Sequence, residues 1–281
     1  MKPAHRFIDI HSHFLPGLDD GPVTMDQCLE TAEKYLAAGF SQVIATPHFI
    51  PGTRWTSVPD EIEAAVRDTR RALSAAGIEL KLLPGMEIGL NDDLCRNFTA
   101  DKLISLGGTG SYLVECSLNA LPGDPVVMGL AELVQHGDCT FILAHPERCR
   151  VFQENPNVVH KLVEQGILIQ INLSSLLGYS GEAAYKTAAT FLRDGVVHFL
   201  ATDSHGSGYR NPPDRKAFSL LEKLVGYETL VTALHDNPLR LLEGETVEAL
   251  RCSMQGSSQA GRLLPSFTGL AEGFRRMLGN R

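Results

Sequence analysis

The sequence predicts an α/β protein in which seven parallel strands close, or nearly close, into a (β/α) barrel. Short aliphatic and β-branched runs alternate with longer segments of helical spacing, which is typical of βαβ units and a parallel sheet. No glycine-rich phosphate-binding motif follows the first strand, which disfavours an open dinucleotide-binding sheet. The chain has 281 residues, 43% of them hydrophobic, so one barrel-sized domain or two smaller ones would fit.

Each predicted strand is a run of four or five mostly apolar residues. The seven are FIDI at 7–10, QVIAT at 42–46, LKLL at 80–83, YLVE at 112–115, FILA at 141–144, LIQI at 168–171 and HFLA at 198–201. Helices are predicted at 24–39, 59–76, 126–136, 156–165, 181–194, 214–225 and 228–242. The first begins at Thr24, which stands at capping-box spacing from Gln27, and ends at Gly39.

A change of composition near the C-terminus divides the chain into two parts. The stretch MQGSSQAG at 254–261 predicts a short flexible link. We therefore expect a barrel domain at 1–250 and a C-terminal extension at 251–281. Four large apolar residues recur at helical spacing in the extension: Phe267, Leu270, Phe274 and Met277. This spacing predicts an amphipathic helix that packs on the barrel or serves as a docking or oligomer contact.

The overall composition disfavours several classes of partner and location. A net charge of −8 lacks the broad positive field that attracts nucleic acids or anionic membranes, so no nucleic-acid partner is expected. No apolar run approaches the roughly 20 residues of a membrane span, and the N-terminal stretch becomes polar too early for a signal peptide. The six cysteines are scattered without a Cys-x-x-Cys pair, which favours reduced thiols. We expect a cytoplasmic protein.

Nearly every predicted strand runs into residues that can bind a metal ion. These residues are His11, His13, His48, Glu87, Glu115, His145, Asp203 and His205. In a barrel the carboxyl ends of the strands converge on one face, so these side chains would meet in one pocket. Imidazoles and carboxylates without thiolates suit Mn²⁺, Zn²⁺ or Fe²⁺. The ligands exceed what one ion requires, which indicates two or three ions, with a carboxylate such as Glu87 bridging a pair and the site suited to phosphoryl displacement.

Cationic side chains near the strand ends would suit the oxygens of a phosphate group. Arg148 follows the fifth strand closely, and Arg210 lies in a Gly- and Pro-rich loop after the seventh. Arg54 and Trp55, in a predicted loop after the second strand, are hypothesised to cover the pocket mouth and contact an aromatic substrate. Isolated histidines are expected to be structural or solvated: His5, His136, His160, His198 and His235.

Six motifs together carry a resemblance to a known group of proteins. They are DIHSHFLPGLDDG, ATPHFIPG, LPGMEI, LVEC, AHPERCR and LATDSH, in this order over about residues 7–215. In this combination they resemble the PHP (polymerase and histidinol phosphatase) superfamily. The opening HSHFLPGLDDG, joined to ATPH and AHPER, is similar to the metal-dependent protein-tyrosine phosphatases of bacterial capsule and exopolysaccharide loci, the CpsB/CapC type.

The resemblance implies a distorted seven-stranded barrel of the PHP type with three divalent metal ions, usually Mn²⁺, with Fe²⁺ or Zn²⁺ as alternatives. Matched motif by motif, its ligands fall on His11, His13, Asp20, His48, Glu87, Glu115, His145, Asp203 and His205. Asp19 is then a partner of a ligand. The phosphate-binding arginines fall on Arg148 and Arg210, although here an asparagine separates Arg210 from the paired prolines that it directly precedes in the family.

The implied reaction is hydrolysis of phosphotyrosine by a metal-bridging hydroxide. Arg148 and Arg210 would neutralise the phosphoryl oxygens, and His205 or a metal-bound water would act as general acid. The implied substrate is a phosphotyrosine protein, a bacterial tyrosine autokinase that controls capsule or exopolysaccharide export. Two alternatives stay open: a small-molecule phosphoesterase such as histidinol phosphatase, and a non-catalytic docking protein with a structural metal site. No cysteine-phosphatase loop or Walker A motif is present.

Overall fold

The computed structural model describes residues 7–121, 123–137 and 139–252. Within these ranges all neighbouring strand segments pair in parallel. They are β1 (Phe7–Ser12), β2 (Phe40–Ala45), β3 (His48–Phe49), β4 (Lys81–Pro84), β5 (Glu87–Gly89), β6 (Ser111–Glu115), β7 (Thr140–Ala144), β8 (Leu168–Asn172) and β9 (Phe199–Ala201). No helix in the described ranges is both long and apolar enough to cross a membrane. The residues of the helix predicted in the extension lie outside these ranges.

The strand segments form two sheets that continue one another. One has the order β1-β2-β4, and the other has the order β3-β5-β6-β7-β8-β9. Pro47 separates β2 from β3, and because proline has no N–H it cannot donate to the ladder. Its carbonyl still accepts a hydrogen bond of 3.1 Å from the Glu87 N–H. Since β3 continues the course of β2, and β5 that of β4, the segments correspond to the seven predicted strands.

The barrel closes between its first and last strands. Ser12 forms a parallel bridge with Ser204, just after β9. On either side of this bridge, the Asp203 N–H donates to the His11 carbonyl (3.0 Å) and the His13 N–H donates to the Ser204 carbonyl (2.8 Å). The prediction of a distorted seven-stranded (β/α) barrel is therefore confirmed.

Helices cover the outside of the barrel. They are α1 (Met25–Ala37), α2 (Pro59–Ala75), α3 (Asp92–Arg96), α4 (Pro125–Leu133), α5 (Arg150–Glu154), α6 (Asn157–Glu164), α7 (Leu173–Leu176), α8 (Glu182–Arg193), α9 (Arg215–Val225), α10 (Tyr227–Val231) and α11 (Asn237–Glu243). The sequence did not predict the short helices α3, α5 and α7. The segment predicted as one helix at 228–242 is α10 and α11, separated by one π-helical turn at Thr232–Asp236.

The first helix begins at the predicted N-cap. The Thr24 side chain accepts a hydrogen bond of 3.3 Å from the Gln27 N–H, which satisfies one of the free N–H groups of the first turn. The Gln27 side chain reaches one residue farther than a capping box requires and accepts from the Val23 N–H (2.8 Å). The backbone leaves the helix at Gly39, where φ is 92°.

A small apolar cluster lies inside the barrel beneath the carboxyl ends of the strands. It includes one fully buried residue from each of five barrel strands: Ile10, Ile44, Leu113, Ile142 and Phe199. Residues contributed from around the ring can pack together only in its interior. Each of these residues lies shortly before the polar end of its strand. The close-packed apolar cluster therefore supports the polar side chains at the strand ends.

Candidate metal centre

The nine residues predicted as metal ligands come together at the carboxyl ends of the strands. They form four overlapping groups in which the ligand atoms all lie within 4.8 Å of one another: His13, Asp20, His48 and His205; His11, Glu87 and His145; His11, His13 and Asp203; and His48, Glu87 and Glu115. The innermost ligands are fully buried: His11, His13 and Glu87 are each 0% exposed. Parallel strands thus gather side chains that are almost 200 positions apart in the sequence.

Glu87, the first residue of β5, lies at the middle of the cluster. Its Oε1 is 3.2 Å from His11 Nε2 and 2.9 Å from His145 Nε2. Its Oε2 is 3.2 Å from His13 Nε2 and 3.0 Å from His48 Nδ1. Two ligand atoms bound to one ion at about 2.1 Å are about 3 to 3.5 Å apart, so these spacings suit shared coordination. The two oxygens face different pairs of imidazoles, as a bridging carboxylate requires.

Three further carboxylates surround the imidazoles. Asp203 Oδ1 lies 3.6 Å from His11 Nε2 and 3.4 Å from His13 Nε2. Glu115 Oε1 lies 3.4 Å from His48 Nδ1. Asp20 Oδ1 lies 3.1 Å from Nε2 of His205. The donor set is entirely oxygen and nitrogen, which suits hard to borderline divalent cations.

The unsatisfied polar atoms of the cluster fit a group of bound cations. Among the described residues, ten buried side-chain nitrogen or oxygen atoms have no hydrogen-bond partner, and six of them belong to the cluster. The six are His11 Nε2, His13 Nε2, Asp20 Oδ1, His48 Nδ1, Glu87 Oε2 and His145 Nδ1. Buried polar groups are ordinarily paired, because an unpaired one costs about 1 to 3 kcal/mol. Metal coordination would satisfy the five of these atoms that face other ligands, whereas His145 presents its other ring nitrogen, Nε2, to Glu87. The residues present therefore fit the metals that the sequence predicts.

The electrostatics of the cluster also favour cations. Burial alone would raise the pKa of Glu87, but the imidazoles of His11 and His48 hold that pKa well below its usual range. Burial likewise opposes ionisation of Asp203, yet His11 and His13 keep its pKa well below normal. Conversely, burial disfavours protonated His48, but Glu87 raises its pKa to about 10. The carboxylates are therefore ionised and need positive charge, which bound cations or extra protons would supply.

His205 differs from the other imidazoles. Burial, and then the neighbouring His13, lower its pKa to about 4. Its Nδ1 is occupied by a hydrogen bond to the Asp203 carbonyl (2.9 Å), which leaves Nε2 directed at Asp20. A neutral imidazole can bind a metal through Nε2, the atom that His205 presents to Asp20 and Arg210.

The loop after β1 orients His13. Asp19 accepts a hydrogen bond of 2.6 Å from His13 Nδ1, which turns Nε2 of the ring towards Glu87. Asp19 also accepts from the N–H groups of Gly21 (2.9 Å) and His48 (3.1 Å). A Cβ at Gly21 would lie 2.3 Å from the His13 carbonyl oxygen, so only glycine allows this close approach. Asp19 therefore acts on a candidate ligand, as expected, because a partner on one ring nitrogen fixes the other.

Gln170 and Asn172 of β8 were missed in the sequence analysis. Gln170 Oε1 accepts from His11 Nδ1 (3.0 Å), and Gln170 Nε2 donates to Asn172 Oδ1 (2.8 Å). Asn172 in turn donates to Asp203 Oδ2 (2.8 Å). Both side chains are fully buried. The available signal was their alternation in an otherwise apolar strand, which places both on one face.

Backbone strain is concentrated at the same place. Within the described ranges, His145 (φ 34°) and Asp203 (φ 51°) are the only non-glycine residues with positive φ. Each follows a strand end, and His145 precedes a proline, which disfavours the right-handed helical region for it. Such conformations cost about 1 to 3 kcal/mol and are typical of functional sites.

The two predicted phosphate-binding arginines approach the cluster in the same manner. Arg148 donates from Nη1 to Asp203 Oδ2 at 2.6 Å, and Arg210 donates from Nη1 to Asp20 Oδ2 at 2.9 Å. Arg210 also contacts Nε2 of His205 through Nη2. Each guanidinium thus holds the outer oxygen of a carboxylate whose inner oxygen faces the imidazoles. The displacement of Arg210 in the sequence does not take it away from the site.

An open cavity lies beside the two arginines. Its volume is about 310 Å³, and its lining residues are Leu118, Arg148, Ser174, Tyr179, Ser180, Thr202, Asp203 and Arg210. Trp55 lies against the cluster instead, where it stacks on His48 with ring centroids 5.2 Å apart and Arg54 above it. That Arg54 and Trp55 contact substrate stays a prediction.

The isolated histidines that the structure describes lie outside the four groups. His198 is buried, and its Nδ1 accepts from the Ile169 N–H (3.1 Å). His160 lies 3.1 Å from Asp194 at the surface. His5 is outside the described residues.

Comparisons with known proteins support one family. Tyrosine-protein phosphatase YwqE of Bacillus subtilis is 32% identical over 243 residues, which span 85% of this chain and 93% of YwqE. A chain from the crystal structures of B. subtilis YwqE and Streptococcus pneumoniae CpsB, described as metal-dependent tyrosine phosphatases, superposes with a TM-score of 0.77 at 30% identity. That match covers 89% of this chain and 99% of the other.

A more distant match shows the fold alone. Histidinol phosphate phosphatase of Lactococcus lactis superposes with a TM-score of 0.50 at 16% identity, covering 78% of this chain and 93% of that one. Finally, the family model described as "Capsular polysaccharide synthesis, CpsB/CapC" matches residues 7–243. The resemblance noted in the sequence is confirmed, and the chain belongs to the CpsB/CapC family.

Proposed function

We propose that this protein is a metal-dependent protein-tyrosine phosphatase. One observation carries the proposal: Arg148 and Arg210 line an open cavity that reaches the cluster of nine candidate ligands at Asp203. Two guanidinium groups, with cations bound beside Asp203, would suit the charge of a phosphate group. The names of the related proteins agree with this activity.

We assign three divalent cations to the cluster, with Glu87 shared between two of them. Mn²⁺ is our first choice, and Fe²⁺ and Zn²⁺ also suit the donors. When bound, such ions would supply a Lewis acid that activates water near neutral pH and offsets the charge of the phosphoryl group.

The arginines are placed to receive the phosphoryl oxygens. Arg148 and Arg210 both line the cavity, and their side chains are 27% and 31% exposed, so their remaining N–H groups can reach a ligand. Asp203 and Asp20 fix the two guanidinium groups in advance, which reduces the entropy lost on binding. Arginine suits this task because its fork of donors matches phosphate geometry.

The proton requirement of the reaction is small. Phosphotyrosine releases a phenoxide whose conjugate acid has a pKa of about 10, so protonation helps less than it would for an alkoxide. Because the pKa of His205 is about 4, its imidazole is neutral at pH 7 and better suited to bind a cation than to donate a proton. His205 was predicted both as a metal ligand and as a general acid, and we assign it the role of metal ligand.

The physiological substrate we propose is a phosphotyrosine protein, a tyrosine autokinase of capsule or exopolysaccharide synthesis. The family description supports this setting. We also propose that the protein acts in the cytoplasm. In support, all six cysteines are free thiols, and four of them are buried. Such cysteine usage is typical of a reducing compartment.

Phosphate release from three substrates tests the activity. Metal-stripped protein is assayed with and without Mn²⁺, Fe²⁺ or Zn²⁺ on a phosphotyrosine peptide, the matching phosphoserine peptide and histidinol phosphate. We expect metal-dependent release from the phosphotyrosine peptide in clear preference. Preference for histidinol phosphate would instead make the protein a small-molecule phosphoesterase. A metal-loaded protein inactive on all three would favour the docking role.

A further inference from the structure

One wall of the active-site cavity is not explained by the chemistry of phosphate hydrolysis. Arg148 and Arg210 supply its charged side, whereas Leu118 and Tyr179 supply an apolar and aromatic side. Both are among the exposed large hydrophobic residues of the described chain, at 38% for Leu118 and 44% for Tyr179. Single exposed apolar residues are ordinary, but these two, from different loops, line the same cavity as the two arginines, and such a combination is typical of a ligand site.

The backbone holds Leu118 near Pro146–Arg148, the turn that carries Arg148. Leu118 lies in the loop between β6 and α4, and its carbonyl accepts a hydrogen bond of 3.0 Å from the Arg150 N–H. Arg150 begins α5, two residues after Arg148. The position of the leucine is therefore tied to that of the guanidinium.

A tight loop between α7 and α8 presents Tyr179. Gly178 and Gly181 adopt φ values of 80° and 92°, which glycine tolerates best. The Tyr179 N–H donates to the Ser174 carbonyl (3.0 Å), so the loop folds back on α7. The same helix is bonded to the turn Pro146–Arg148, because Ser175 Oγ donates to Glu147 (2.7 Å). Both apolar side chains thus stand on backbone that is anchored close to Arg148.

We propose that Leu118 and Tyr179 form the subsite for the aromatic ring of an aryl phosphate and determine specificity for aryl over alkyl phosphates. This inference rests on the proposed function. An aryl phosphate has a charged end and a flat apolar ring, and the cavity presents groups complementary to both. An aromatic face and an aliphatic side chain bind a ring well, and an alkyl phosphate lacks that ring.

Paired affinity measurements on the metal-loaded protein test the subsite. The Michaelis constant for a phosphotyrosine peptide depends on binding of both the phosphate group and the aromatic ring. The inhibition constant of inorganic phosphate depends only on binding at the charged side of the cavity. The variants are Tyr179→Ala, Leu118→Ala and Tyr179→Phe. Leu239→Ala is the matched control, because Leu239 of α11 is also 38% exposed and does not line the cavity. Thermal unfolding verifies that each variant is folded.

We expect Tyr179→Ala to raise the Michaelis constant about tenfold and Leu118→Ala about threefold, with the phosphate inhibition constant changed less than twofold. Tyr179→Phe retains the ring and should stay within about twofold of the wild type, as should the control. If the wild type cleaves the peptide but both alanine variants keep its Michaelis constant, the subsite is wrong and the proposed function stands. A wild type that cleaves only alkyl phosphates overturns both.

Discussion

Arg148 Nη1 and Asp203 Oδ2 lie 2.6 Å apart, and the other oxygen of Asp203 faces the imidazoles of the metal cluster. Asp203 thereby joins the cation-binding groups to the wall of the cavity. Desolvation opposes the charge of this guanidinium, but Asp203, together with Glu147 and Glu87, raises the pKa of Arg148. The Arg148 guanidinium therefore stays protonated, and positively charged, throughout the pH range in which the protein is folded. A substrate phosphate would therefore bind to the Arg148 guanidinium, which Asp203 already holds in position.

Removing Arg148 should abolish most of the activity. We expect Arg148→Ala to lower kcat/KM on a phosphotyrosine peptide by about 10² to 10³, since removing one preoriented donor to a developing charge has that effect. Arg148→Lys should recover only part of the loss, because lysine lacks the planar fork. Arg150→Ala is the control, since Arg150 is an exposed arginine paired with Glu154. Activity of Arg148→Ala within threefold of the wild type would contradict the assigned role.

Glu87 is predicted to control how many metal ions the protein retains. Glu87→Gln keeps the shape of the side chain but removes the charge that faces four imidazoles. We expect the bound metal, measured by elemental analysis of purified protein, to fall by at least one equivalent and kcat to fall at least 100-fold. Glu147→Gln is the matched buried control, since its Oε1 binds Asn172 N–H and Ser175 instead. Full metal content in Glu87→Gln would exclude the bridging role.

Gln170 should act on the metal through His11. Replacing it by leucine removes the acceptor that orients the His11 ring, and loss of such a partner lowers metal affinity about 10- to 100-fold. Competition with a chelator measures this affinity directly. Gln42→Leu serves as the control, because Gln42 is also a buried strand glutamine and its Nε2 has no hydrogen-bond partner. Equal affinities in the two variants would assign Gln170 a purely structural role.

Eight of the nine candidate ligands could be predicted from two simple rules, whereas Asp20 was predicted only through the family resemblance. Strand periodicity located the strand ends, and convergence in a barrel brought His11, Glu87 and Asp203 together. Gln170 was not predicted, because an amide side chain in an apolar strand does not indicate which residue it will bond to, here His11. The cavity wall of Leu118 and Tyr179 escaped as well, since loop positions depend on tertiary hydrogen bonds that no period encodes.

The same limit explains the differences in secondary structure. Helix α7 follows β8 without a connecting loop and has only four residues, too few for a helical period to be recognised. The run QVIAT was predicted as one strand, but β2 ends at Ala45, before its last residue. Pro47, which cannot donate to the ladder, then interrupts the pairing before β3 begins.

His198 gives a pH dependence that is separate from the metal cluster. Burial lowers the pKa of His198 to about 4, against about 6.5 in the unfolded chain. The unfolded state therefore takes up this proton first as the pH falls. The associated stability is complete above pH 6.5 and is lost progressively between about pH 6.5 and pH 4. Metal-free protein should accordingly have a lower Tm at pH 5 than at pH 7.

A substitution that removes only the titration tests this account. His198→Asn can keep an acceptor for the Ile169 N–H, because the asparagine oxygen can occupy the position of Nδ1. We expect the fall in Tm between pH 7 and pH 5, measured with chelator present, to be about 5 °C smaller in this variant than in the wild type. His160→Asn, at a half-exposed surface histidine, should fall as the wild type does. If His198→Asn loses as much Tm as the wild type over this range, other groups govern the acid sensitivity, because a neutral amide has no proton to gain.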